Sequence, residues 1–224
     1  MATVTVVGGG LAGCEAAWQL AVAGHRVSLV EMRPLRPTPV HRSGALAELV
    51  CSNSLRGDDL TNAVGLLKAE MEALGSLVLR VARATAVPAG GALAVDREAF
   101  AQGIGQLVGG HPGIELRRGE LTALPEGPAI IATGPLTSPA LHSALGELVG
   151  ERALSFFDAI APIVAADSLD LGRLYRASRY GKGGGEDYLN SALDREGYER
   201  FVDALLAADK VPFKDFELAD IRYF

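Results

Sequence analysis

Apolar and polar positions along this chain fall into short runs punctuated by glycine. The first run, Val4-Thr5-Val6-Val7, stops at Gly8-Gly9-Gly10-Leu11-Ala12-Gly13, and residues 11–23 are then apolar nearly all round. Such a run fits a strand buried on both faces, and a helix apolar on every side fits one packed against a sheet. Gly24 stands where a C-terminal cap is expected, and a second apolar run, residues 27–30, ends at Glu31. Apolar residues at 60, 64, 67, 71, 74 and 78 predict one helix with a single packing face. A loop at Pro88-Ala89-Gly90-Gly91 leads into a strand and then a helix over residues 97–107. Residues 114–117 and 119–124 read as short strands, and residues 128–132 as an apolar strand ending in Ala132-Thr133-Gly134. Residues 197–208 read as an amphipathic helix.

The strand–turn–helix at the start has the form that grips a dinucleotide. Gly8 allows the tight bend, Gly10 lets a pyrophosphate approach the backbone, and Gly13 lets the helix pack close to the strand. Leu11 and Ala12 open the helix, whose positive end receives the phosphates. Glu31 lies where an acid is expected to hold a ribose hydroxyl pair. At the other end of the domain, Thr133 and Gly134 supply the small residues a chain needs to pass close to a bound cofactor. A strand ending in Ala-Thr-Gly, paired with this glycine turn, favours FAD over NAD(P) at the site.

With 224 residues, 49% of them hydrophobic and 21% charged, the chain has the composition of an ordinary globular enzyme. No apolar run approaches membrane-spanning length, and the chain opens in a strand with no basic leader. Two cysteines are too few for a disulfide framework, so a reducing cytoplasm is expected, and no metal site is expected. The net charge of −6 argues against unspecific nucleic-acid binding but leaves room for a local basic patch.

Two segments carry candidate chemistry. In Leu49-Val50-Cys51-Ser52-Asn53-Ser54-Leu55-Arg56, an apolar approach stops at a cysteine followed by residue types that cap helices. A thiol just ahead of a helix start, with Arg42 and Arg56 near in sequence, suits a reactive thiolate; a buried structural cysteine is the alternative. Cys14, inside the first helix beside alanines, reads as packing. Farther on, Arg173, Arg176, Arg179 and Lys182 recur at three-residue spacing with Tyr175 and Tyr180 between them. That pattern suits phosphate contact with base stacking, and equally a solvated face.

Together these segments resemble the bacterial folate- and flavin-dependent tRNA uracil-C5 methyltransferases. The resemblance is carried by Gly8-Gly9-Gly10-Leu11-Ala12-Gly13-Cys14-Glu15-Ala16-Ala17, Glu31-Met32-Arg33-Pro34, Glu48-Leu49-Val50-Cys51-Ser52-Asn53-Ser54-Leu55-Arg56, Pro88-Ala89-Gly90-Gly91-Ala92-Leu93-Ala94-Val95-Asp96-Arg97 and Ile131-Ala132-Thr133-Gly134-Pro135. It continues through Pro162-Ile163-Val164, Ser178-Arg179-Tyr180 and Tyr188-Leu189-Asn190, so it covers nearly the whole chain.

It implies a three-layer α/β FAD/NAD(P)-binding domain of the glutathione-reductase Rossmann type over residues 1–185, with an inserted second domain beginning at 186–224. It also implies methylation of the T-loop uridine of tRNA at C5, with methylenetetrahydrofolate as carbon donor and NAD(P)H reducing FAD. The family's essential cysteine matches Cys51, as nucleophile at uracil C6 or as acid/base. Family members are about twice as long and use a second cysteine, so this chain is expected to be an N-terminal piece or a shortened version. The alternatives are the related flavoprotein of wobble-uridine modification and a catalytically incomplete FAD- or RNA-binding fragment.

Overall fold

The computed structural model describes residues 3–150, 164–178 and 184–209. The chain divides into two compact units, Met1–Val87 with Gly91–Leu154, and Pro88–Gly90 with Ser155–Phe224. The division expected at 185/186 falls inside the second unit.

The first unit opens with β1 (Thr3–Val7), α1 (Leu11–Val22) and β2 (Arg26–Glu31). Next come β3 (Ser54–Gly57), α2 (Ala63–Ala73), α3 (Leu77–Ala84), β4 (Ala86–Val87), β5 (Ala92–Val95) and α4 (Arg97–Gly110). It closes with β6 (Ile114–Arg118), β7 (Ala129–Ile131) and α5 (Pro139–Val149). Four strands form a parallel sheet in the order β6-β2-β1-β7. The chain runs from β1 through α1 to β2 on one side of β1, and returns from β6 to place β7 on the other, so a crevice opens at the carboxyl ends of β1 and β7, where open α/β sheets bind ligands. This is the α/β Rossmann-type architecture expected.

Small residues set the spacing in this layer. Gly13, Cys14, Ala17 and Ala21 are the buried residues of α1, so its backbone lies close to the sheet. On α4, Phe100, Ala101, Ile104 and Val108 are buried at helical spacing, and Phe100, Ile104 and Val108 join Val6, Leu29 and Leu77 in one core. A second, antiparallel sheet of order β3-β5-β4 is irregular between Ser54 and Gly57, where Arg56 takes a left-handed φ of 68°.

Three expectations are corrected. The helix predicted over residues 60–78 is two helices, α2 and α3. Gly75, at φ +77°, ends the first, and Ser76 caps the second through its hydroxyl. The periodic leucines do not form a packing face: Leu60, Leu67 and Leu74 are 64%, 53% and 79% exposed, while Gly65 and Lys68 are buried. Gly65 turns that side inward because it alone admits the Asp59 carbonyl, which would lie 2.0 Å from a Cβ there. Second, no helix starts after Cys51; Ser54 enters β3, and the next helix waits for its cap at Asn62. Third, residues 119–124 form no strand. Gly119 N–H donates to the Glu31 carbonyl, and the chain then leaves the sheet.

In the second unit, β8 (Leu174–Ala177) and β9 (Tyr188–Ser191) form an antiparallel hairpin, followed by α6 (Arg195–Ala207) capped by Asp194. The Asp187 carboxylate accepts hydrogen bonds from Gly90 N–H, Gly184 N–H and the Ser178 hydroxyl, which closes the hairpin's turn. Arg173, Tyr175 and Arg176 are exposed. Arg179, Tyr180 and Lys182 lie outside the described residues, as do Pro162 and Ile163.

Candidate functional site

The crevice at the sheet's carboxyl end is a cavity of about 510 Å³. Gly8, Gly9, Gly10, Leu11 and Ala12 line it from the turn, Glu31 from the end of β2, and Thr133 and Gly134 from just beyond β7. Cys51 also lines it, so residues spread over more than a hundred positions meet around one space. Gly13 is the exception: it stands behind the wall.

The glycines divide their work. A Cβ on Gly13 would lie 1.8 Å from the Gly8 carbonyl oxygen, so only glycine lets α1 start this close to the turn. Gly8 takes φ +103°, and a Cβ there would press on the Ala132 backbone at 2.5 Å. Gly10 differs, since a Cβ on it would meet no atom within 4 Å. The space over Gly10 is open to the cavity at the positive end of α1, as a pyrophosphate requires. Beyond β7, the Thr133 and Thr137 hydroxyls lie 2.6 Å apart and the Thr137 hydroxyl also reaches the Gly134 carbonyl, which fixes that rim.

Glu31 is engaged more heavily than its sequence position suggests. Its Oε2 accepts from Gly9 N–H at 2.7 Å, and its Oε1 accepts from Arg33 N–H and Arg33 Nε, each at 2.9 Å. Burial alone pushes this carboxyl up, but the Arg33 guanidinium and the backbone donors of Arg33 and Gly9 outweigh it and hold it below its ordinary value. A carboxylate has about four acceptor sites, so about one remains for a ligand. Arg33, only 3% exposed, also reaches Glu48 Oε2 at 3.2 Å. Glu48 accepts further from Arg42 N–H, Ser43 N–H and the Ser43 hydroxyl.

His41 lines the same cavity, its Nδ1 2.6 Å from the Thr38 hydroxyl. Burial, and then the neighbouring Arg33 charge, hold its imidazole below its ordinary pKa and so favour the neutral ring. Sequence reasoning gave no role to Arg33, Thr38, His41 or Glu48. One signal was available: Glu48 is an acid inside the apolar stretch Leu46-Ala47-Glu48-Leu49-Val50, where a carboxylate needs a buried partner.

The two cysteines separate cleanly. Cys14 is fully buried, its Sγ 3.4 Å from the Gly9 carbonyl, and burial followed by the nearby Glu31 charge pushes its thiol up to about 12. Cys51 is half-buried on the cavity wall, and its carbonyl accepts from Arg97 at 3.4 Å. Cys51 thus lines the same space as the glycine turn.

The family model described as glucose inhibited division protein A matches residues 3–224. The chain belongs to that family. The chain is also similar to proteins named methylenetetrahydrofolate--tRNA-(uracil-5-)-methyltransferase TrmFO. The one from Geobacter sulfurreducens is 63% identical over 215 residues, covering 96% of this chain and 49% of its own length. That from Rhodospirillum rubrum is 61% identical over 218 residues, and that from Azorhizobium caulinodans 60% over 229, covering 96% and 99% of this chain and 45% and 48% of their own. The chain spans about half the length of the curated relatives it matches. With this membership, the resemblance first seen in the sequence stands.

Proposed function

We propose that the cavity of the first unit holds FAD and that the protein methylates the T-loop uridine of tRNA at C5. In this reading methylenetetrahydrofolate supplies the carbon and NAD(P)H the reducing equivalents. One observation carries the cofactor assignment: the open space over Gly10, at the start of α1, in a cavity also lined by Glu31, Thr133 and Gly134. The residues fit the group. Gly8, Gly9, Gly10, Leu11 and Ala12 receive the pyrophosphate, Gly13 keeps α1 against the turn, and Glu31 offers its remaining acceptor site to a ribose hydroxyl. Thr133 and Gly134 let the chain pass close on the far side. When bound, FAD supplies the electrons that complete the methyl group.

The name shared by relatives 60–63% identical supports the reaction over the wobble-uridine alternative. Uracil C5 is a poor nucleophile until something adds at C6, and Cys51 is the reacting group on the wall. As nucleophile, its thiolate forms a bond to C6 and the ring's electron pair moves to the C4 oxygen, leaving C5 able to attack an electrophilic methylene; that bond breaks once the C5 proton has gone. As acid/base, it moves that C5 proton instead. The exposed Arg173, Tyr175 and Arg176 of the second unit suit contact with tRNA, in keeping with a cytoplasmic enzyme. Among the described residues no helix is long and apolar enough to cross a membrane.

Methylation of a T-loop minihelix tests the reading, measured with this chain and with a protein of the relatives' full length. Cys51→Ala is expected to abolish methyl transfer in the long protein while its flavin absorbance persists. An active Cys51→Ala enzyme would return the cysteine to a structural role.

A further inference from the structure

We propose that Arg33 and Glu48 are positioning residues for Cys51, forming a ring of contacts, buried at Glu31 and Arg33 and half-buried at Glu48, that makes the glycine turn and the cysteine segment one body. The inference rests on Cys51 being the reacting group, and it concerns how the fold holds that group at the cavity. The ring can be followed atom by atom. Gly9 N–H donates to Glu31 Oε2 at 2.7 Å, Arg33 Nε donates to Glu31 Oε1 at 2.9 Å, and Arg33 Nη1 donates to Glu48 Oε2 at 3.2 Å. Ala47, the neighbour of Glu48, then donates its N–H back to the Gly9 carbonyl at 2.8 Å. Only Leu49 and Val50 separate Glu48 from Cys51.

The ring does more than fill space. Buried ion pairs add little net stability, because desolvating the charges offsets their attraction. They do fix geometry, and a guanidinium has a planar fork that suits two carboxylates in defined directions. Ala47 sits at φ 51°, a left-handed conformation that a residue with a Cβ adopts only when its surroundings hold it there. Its N–H closes the ring and its side chain is fully buried. Both carboxylates are held ionised by these partners: burial pushes each up, and hydrogen bonds from Arg33 and Gly9 at Glu31, and from Arg42 and Ser43 at Glu48, outweigh it. The same ring explains why Glu31 keeps so little capacity for a ligand. One face of its carboxylate belongs to the turn and the other to the strut that reaches the cysteine segment.

The chain carries its own reporter, since Cys14 is fully buried and Cys51 is the accessible thiol of its two cysteines. We would measure alkylation of the whole chain by iodoacetamide against pH. The limiting rate at high pH, where every accessible thiol is ionised, reads how firmly Cys51 is held and not its charge. Glu48→Gln should raise that limiting rate at least threefold with a single thiol reacting, and Glu48→Asp, which keeps the charge, should fall closer to the unmodified chain. Arg83→Gln, which breaks an exposed pairing with Asp58 and Glu72, should leave it unchanged. An unchanged rate in Glu48→Gln overturns the proposal. So does simultaneous reaction of both thiols, which would make the pair a support of the whole fold. Flavin binding and the activity of Cys51→Ala are read separately, so failure of the cofactor or cysteine assignment leaves this comparison intact.

Discussion

At the residue scale, the glycines of one motif answer to different forces, and substitution can tell them apart. Gly13→Ala places a methyl group 1.8 Å from the Gly8 carbonyl oxygen, so the turn or the helix must move. Overpacking of this severity costs about 3 kcal/mol, a fall in Tm of about 6–12 °C for a chain of this size. Gly10→Val meets open space and should leave Tm nearly unchanged while removing FAD, because its side chain occupies the volume of the pyrophosphate. Thermal melts and flavin retention on the two variants check the pair of outcomes. A yellow Gly10→Val protein would contradict the assignment of the turn.

Glu31 gives a pH signature at the same scale. Its carboxyl is held below its ordinary value in the folded chain, so the unfolded chain binds the proton more readily. The stability it contributes is therefore complete above the unfolded pKa, about 4.3, and is lost as pH falls from there through the folded value. Tm measured against pH should show a steep acid limb below about pH 4.5, and Glu31→Gln should be less stable at neutral pH with a shallower limb. Parallel limbs in the two proteins would mean that Glu31 is not held this way.

At the scale of elements, the first βαβ unit was legible because its hydrophobic runs, glycine turn and terminal acid reinforce one another. The region from Cys51 to Val78 was less so, for identifiable reasons. Ser52, Asn53 and Ser54 read as caps, yet Asn53 instead exchanges backbone and side-chain hydrogen bonds with Val95 and draws the chain into β3. That partner lies 42 residues away, beyond the reach of local pattern. The apolar spacing over residues 60–78 ran across Gly75 and Ser76, whose stop-and-start chemistry outweighs periodicity. What fixes α3 is also distant: the Glu15 carboxylate accepts from Leu77 N–H, Val78 N–H and the Ser76 hydroxyl. Glu15→Ala should cost about 2 kcal/mol, or about 4–8 °C in Tm, by leaving these donors without their acceptor. Leu67→Gln, on the exposed side of α2, should stay within about 0.5 kcal/mol of the unmodified chain. Denaturant unfolding of the two variants checks both values, and the opposite ranking would restore the single helix with a leucine packing face.

At the scale of the whole molecule, two parts of the sequence far apart are brought to one cavity by the strand order. Placing β7 beside β1 sets Thr133 and Gly134 opposite the end of the chain's first strand, and the ring through Arg33 and Glu48 ties Cys51 to the same turn. The candidate site was legible as residue types at motif spacing. The charges that hold it together were legible only in part: Glu48 stands out as an acid in an apolar stretch, but nothing local marks Arg33 as its partner. The central claim is that this cavity is a flavin site, and the visible absorbance of the purified chain, with FAD added and then removed by desalting, tests it most directly. Flavin bands that remain with the chain, and are absent from Gly10→Val, are the predicted result. A colourless chain, or one in which Gly10→Val retains the same bands, would contradict it.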